Sequence, residues 1–249
     1  MSVVEVAAAQ ARPGALVSLF ALYRLLLRMQ ITVTRLLGIA GLGALAILIG
    51  LFSRWDDNPA QAAADVVSNY GLGILVPFAA LWLGTSAVGD LVDDRLLVYL
   101  WLKPVARWQL PAAAVLATVS VVVPLTAIPL AVSALAAGAG DVAPAAFLAG
   151  SLAALAYAGL FVAAGIAFRR AVWWGLAFVL LWENVVAHAV DGAARFTVSG
   201  WASSVLGLAP DVDVSHEAGS VGAAFVVLAA IAVAGWLIAT WRYGRADVD

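Results

Sequence analysis

The side chains able to do chemistry in this chain are few and sit in two places. The first is Trp182-Glu183-Asn184 with His188, toward the end of a long apolar run. A carboxylate, an amide and an imidazole on one apolar helix could carry a proton or hold a polar cargo. Asn184 and His188 are four residues apart and share a helical face. An ionisable group in such surroundings is costly and normally faces a bundle interior or a cavity. Glu183, Asn184 and His188 are therefore candidates for a translocation path or an intersubunit hydrogen bond. A competing reading ends the helix near Trp182 and leaves Glu183 wet. A metal centre needs about three converging ligands. With no cysteine, and His188 and His216 as the two histidines, neither a metal site nor a catalytic set is expected. The lack of cysteine also removes disulfides and thiol catalysis.

The second place is the segment from Gly89 to Trp108, GDLVDDRLLVYLWLKPVARW. Asp90, Asp93 and Asp94 lead into an apolar run, Leu96 to Leu102, and then Lys103-Pro104-Val105-Ala106-Arg107. A short helix here would present Leu97, Tyr99, Leu100 and Trp101 as anchors, with charged neighbours fixing the register of a partner. The plainer alternative is a polar loop with an interfacial tryptophan. A phosphate-cradling loop needs a glycine-rich turn followed by Lys and Ser or Thr. Lys103, the single lysine, lies between Leu102 and Pro104. Nucleotide chemistry would have to come from another polypeptide.

The elements that position these residues follow from composition. Of 249 residues, 65% are hydrophobic and 11% charged, where a soluble domain is nearer half apolar and a quarter charged. The reading is an all-α integral membrane protein forming one transmembrane domain over residues 1–249. Residues 1–22 read as a cytoplasmic tail. Over 23–35, at about 100° per residue, Arg24, Arg28 and Arg35 fall on one face, opposite Leu22, Leu26, Met29 and Val33. That pattern fits an in-plane amphipathic helix at the headgroup boundary. Six spans are expected at about 36–53, 70–88, 111–137, 144–168, 171–190 and 220–241. Pro77, Pro124 and Pro129 lie inside spans, where neighbouring helices can accommodate them. The connection between spans five and six holds Phe196, Trp201, Val205, Leu206 and Leu208, which suggests short helices buried against protein. Trp55, Trp108, Trp173, Trp174, Trp201 and Trp241 fall near the expected interfaces.

Charge sorts the connections by side. One side collects Arg12, Arg24, Arg28, Arg35, Arg95, Lys103, Arg107, Arg169, Arg170, Arg242 and Arg245; the other holds Arg54 and Arg195 with most of the acids. The positive-inside rule then places both termini in the cytoplasm. The two halves do not match in loop length or charge, which weighs against inverted-repeat transporters.

In this layout and in its central segment, the chain resembles the permease subunits of type-2 ATP-binding-cassette (ABC) transporters. Asp93-Asp94 correspond to the family's acidic patch, Leu97 to Trp101 to its apolar stretch, and Pro104-Val105-Ala106-Arg107 to its Pro-Val-Ser-Arg motif. Arg95-Leu96 stand where the family has Gly-Thr. The resemblance implies a cytoplasmic coupling helix between spans two and three that inserts into a cleft of a separate ATPase. It also implies two ATPase subunits that bind ATP and magnesium, a second permease copy or homologous partner, export, and a bacterial plasma membrane. No cofactor in the chain itself and no nucleic-acid partner are expected. The rivals are a proton-coupled secondary transporter using Glu183, an intramembrane enzyme acting on lipids, and a non-transporting membrane anchor.

Overall fold

A computed structural model describes residues 15–93, 106–168, 170–186, 193–210, 212–214 and 218–245, with the backbone alone for 90–93, 184 and 186. The described residues form helices and no strand. In order these are α1 (Ala15–Gln30), α2 (Val33–Phe52), α3 (Pro59–Asp65), a π-helical run (Val66–Leu75), α4 (Val76–Asp93), α5 (Gln109–Ala136) and α6 (Ala143–Ala167). There follow α7 (Ala171–Ala177), a second π-helical run (Phe178–Val186), a 3-10 turn (Ala193–Phe196), α8 (Val198–Ser204), another 3-10 turn (Val205–Leu208) and α9 (Val221–Arg245). Among the described residues five helices are long and apolar enough to cross a membrane: Val33–Trp55, Pro59–Gly89, Gln109–Ala136, Ala143–Ala167 and Val221–Arg245. This is a helical membrane protein.

α6 is the hub. It packs against α4, α5 and α9, and its sequence is dominated by Ala, Gly and Leu. Three glycines let three neighbours approach. A Cβ on Gly150 would sit 3.2 Å from Ala127 Cα of α5; on Gly159, 2.7 Å from the Ala232 carbonyl of α9; on Gly165, 2.9 Å from the Thr85 carbonyl of α4. Small side chains are what allow backbones this close in a setting where lipid tails already satisfy apolar surface. Tyr157, fully buried, stacks on Phe161 with ring centroids 5.7 Å apart.

The N-terminal helices lie along α5. α1 begins at Ala15, inside the stretch expected as a tail, because its Leu22, Leu26 and Gln30 bury against the bundle. Gln30 donates to Thr118 Oγ1 at 3.1 Å, Gln109 donates to the Ala15 carbonyl at 2.9 Å, and the Tyr23 and Ser120 hydroxyls are 3.1 Å apart. The chain breaks at Ile31–Thr32, with Thr32 extended at φ −113° and ψ 135°. Arg24 and Arg28 are thus exposed on α1, while Arg35 stands on α2 beyond the break. α2 packs on Pro129 through Gly43, and its Ala46 carbonyl accepts from Ser133 Oγ at 2.8 Å.

The helix expected from residue 70 starts at Pro59. Asn58 caps it by accepting from the Gln61 N–H at 3.2 Å, with proline in the first turn. The π-helical run that follows ends two residues before Pro77. In regular α geometry the Pro77 ring would meet the carbonyl of Gly73; widening the turn is one way a membrane helix relieves that clash.

Replacing Gly159 with valine forces α6 and α9 apart and is expected to cost about 1–3 kcal/mol, the usual range for overpacking. Gly41→Ala meets nothing within 4 Å and leaves stability unchanged or slightly raised. Thermal melts of the two purified variants in one detergent check the contrast.

Candidate functional site

The expected fifth span, described from Ala171 to Val186, has one buried stripe. α7 continues into the second π-helical run, and Ala171, Gly175, Val179 and Glu183 point inward along it. Its other faces expose Val172, Trp173, Trp174, Leu180, Leu181, Trp182 and Val185. Small residues at the first positions of the stripe let the element lie close to Leu81 and Phe161. The stripe includes a carboxylate that is 1% exposed.

What receives that carboxylate is the start of α8. Thr197 is extended at φ −117° and ψ 147°, and its Oγ1 accepts from the Gly200 N–H at 3.1 Å. Glu183 Oε1 accepts from the Val198 N–H at 3.0 Å. Its Oε2 accepts from the Ser199 N–H at 3.1 Å and from the Ser199 hydroxyl at 2.5 Å. The first orphan amides of a helix are thereby satisfied by one carboxylate and one hydroxyl, with the positive end of the helix toward the acid. Beneath them the Tyr157 hydroxyl of α6 lies beside Glu183 and Ser199. It completes no hydrogen bond of regular geometry.

The rest of the 193–214 cap is tied down in the same way. Gln61 donates to the Asp213 carbonyl at 2.8 Å and accepts from the Asp213 N–H at 2.8 Å. The Ser68 and Ser203 hydroxyls are 2.9 Å apart. Ser204 Oγ accepts from the Ala218 N–H at 2.9 Å. Trp182 Nε1 donates to the Phe196 carbonyl at 3.1 Å, and Trp201 Nε1 to the Arg195 carbonyl at 2.9 Å. Val198, Ala202, Val205 and Leu206 bury beneath. Chemically this is a polar cap on an apolar bundle, with Glu183 as an acceptor that ties one helix to another. Among the described residues no group of three or more His, Asp or Glu side chains could hold a metal ion.

The opposite end gathers the basic residues. Arg107 donates to the Gly244 carbonyl at the end of α9, and Arg242 donates to the Ala167 carbonyl at the end of α6 at 3.2 Å. Arg245 lies 4.2 Å from the Trp241 ring centroid. Cations at helix C-termini complement the dipole there. Arg170 is exposed at the same end, while Asp56, Asp57, Asp65, Asp141 and Asp213 are exposed at the cap end.

Of the residues singled out in the sequence, Glu183 and Arg107 therefore sit at opposite ends of the bundle. Asp93 is the last described residue of α4, and Asn184 belongs to the second π-helical run by its backbone. Asp94, Leu97, Tyr99, Leu100, Trp101, Pro104 and His188 lie outside the described residues. Sequence reasoning passed over Tyr157, Thr197, Ser199, Gln61 and Ser68. Thr197 could have been found as an N-cap ahead of a short apolar run. Ser199 and Ser68 carry no local signal, because their partners are distant in the chain. Comparison with protein-family models and with curated proteins finds no match.

Glu183→Ala leaves two amides of α8 without acceptors, at about 1–3 kcal/mol each, and is expected to loosen the cap. Glu183→Gln retains an acceptor oxygen and loosens it less; Tyr157→Phe removes no completed bond and changes little. Because the chain has no cysteine, Ala202→Cys, buried under the cap, reports directly. Maleimide labelling at that position should be slowest with Tyr157→Phe, faster with Glu183→Gln and fastest with Glu183→Ala.

Proposed function

We propose that the chain is the membrane-spanning permease subunit of an ATP-driven exporter of the type-2 ABC kind, powered by separate ATPase subunits. The reading is carried by one observation. Both flanks of the 94–105 segment, the end of α4 at Asp93 and the Arg107 turn, belong to the arginine-rich end of the bundle, where Arg107 ties to Gly244. A segment leaving from that end meets the cytoplasm under the positive-inside rule. It carries Tyr99 and Trp101 as anchors for a partner.

In this arrangement the element from Ala171 to Val186 adds a sixth crossing to the five long helices, α1 lies at the cytoplasmic headgroups, and both termini are cytoplasmic in a bacterial plasma membrane. Two copies, or this chain and a homologous permease, form the path. Two ATPase subunits below bind ATP and magnesium, and their closure moves the bundle through the 94–105 segment as a rigid-body or hinge transition. The Glu183 cap then covers the outer end.

A second reading has its own support. Glu183 is a buried carboxylate in an apolar bundle, the kind of group that serves proton relays. A proton-coupled carrier would move cargo in liposomes under a proton gradient with no nucleotide and no partner; the exporter would not.

Tyr99→Ala with Trp101→Ala removes two aromatic anchors and is expected to weaken co-purification of the ATPase subunits by at least about 30-fold, while the melting temperature holds. Unchanged co-purification and transport in that double variant would sink the coupling assignment.

A further inference from the structure

We propose that the outward face of α1 binds the phosphates of anionic phospholipids in the leaflet at the arginine-rich end. The proposal rests on the chain being a membrane protein and is independent of whether it is an exporter.

Among the described arginines at this end, Arg170 is exposed in the turn between α6 and α7, and the others differ in what they touch. Arg107 and Arg242 are spent on helix-end carbonyls, Arg245 on Trp241, and Arg35 also has a partner. Arg24 and Arg28 are exposed, one turn apart on α1, and make no hydrogen bond, ion pair or ring contact within the described residues. α1 carries no acidic side chain that could answer them. Around them the same helix exposes Leu16, Val17, Phe20 and Leu25. A face that offers guanidinium groups and apolar side chains together matches a ligand with a phosphate and acyl chains. Soluble phosphate would leave the apolar half of the surface unused. The guanidinium fork suits phosphate oxygens in particular.

Position agrees with this. α1 meets α5 between Gln109 and Ser120, the first part of that helix, at the arginine-rich end. The long stems of Arg24 and Arg28 let their guanidinium groups reach toward headgroup phosphates on that side.

The test uses the full chain purified in neutral detergent. Dioleoylphosphatidylglycerol is titrated against dioleoylphosphatidylcholine, and bound lipid is counted by native mass spectrometry. Wild type should retain the anionic lipid preferentially. Arg24→Gln with Arg28→Gln should lose about fivefold per arginine, roughly 25-fold together. Arg24→Lys with Arg28→Lys should keep most of the preference, and Arg54→Gln, at the cap end, all of it. Melting curves show that each variant is folded, and the single Arg24→Gln and Arg28→Gln variants, each about fivefold weaker, carry the comparison if the Gln pair is not. The proposal is overturned if wild type shows no preference, if the Gln pair retains lipid like wild type, or if inorganic phosphate displaces the lipid. It is equally overturned if the Gln pair alters only the oligomeric state.

Discussion

Close approach to α6 is the constraint on which the remaining structure rests. A helix in lipid gains nothing by hiding apolar surface from an apolar solvent, so association depends on packing and on polar ties. α6 meets this with Gly150, Gly159 and Gly165 turned toward α5, α9 and α4. Its one large polar side chain, Tyr157, is fully buried at the centre. Because the neighbours come so near, their own termini are fixed, and the two ends of the bundle acquire definite casts of side chains. The Arg242 tie to Ala167 and the Arg107 tie to Gly244 are consequences at one end. The cap on Glu183 is the consequence at the other.

Polar satisfaction is the second requirement. Irregular backbone at membrane depth is tolerated where protein rather than lipid surrounds it. The 193–208 segment is built of very short helices, which have a high proportion of orphan amides and carbonyls. Glu183, Thr197, Ser203, Ser204 and Gln61 supply polar partners across this cap. The carboxylate in the apolar run is therefore no anomaly of composition. It is the acceptor that a buried helix start demands, reached from an element fifteen residues earlier in the chain.

Much of the helical architecture was legible from residue types alone. The apolar runs at 111–137, 144–168 and 220–241 correspond to helices Gln109–Ala136, Ala143–Ala167 and Val221–Arg245, since long runs without charge admit few alternatives. Legibility fell where polar residues open a helix. Gln61, Asp65 and Asn69 resemble loop residues and hid the helix start that Asn58-Pro59 signals. The break at Thr32 was hidden because a helical pattern continues on both sides of it. At the site, the apolar flanks of Glu183 left a buried acid and a wet helix end as competing readings, and the structure buries the acid. Its partners were not, because Val198 and Ser199 offer backbone amides, and an amide leaves no trace in the residue type.

The carboxylate and its cover explain each other. Glu183 lies on the buried face of the element from Ala171 to Val186, and it meets the start of α8 instead of lipid. Val198, Ala202 and Leu206 are buried in the same cap. An acid is tolerable at that position because a helix start covers it, and the acid in turn satisfies the amides that the helix start would otherwise leave orphaned.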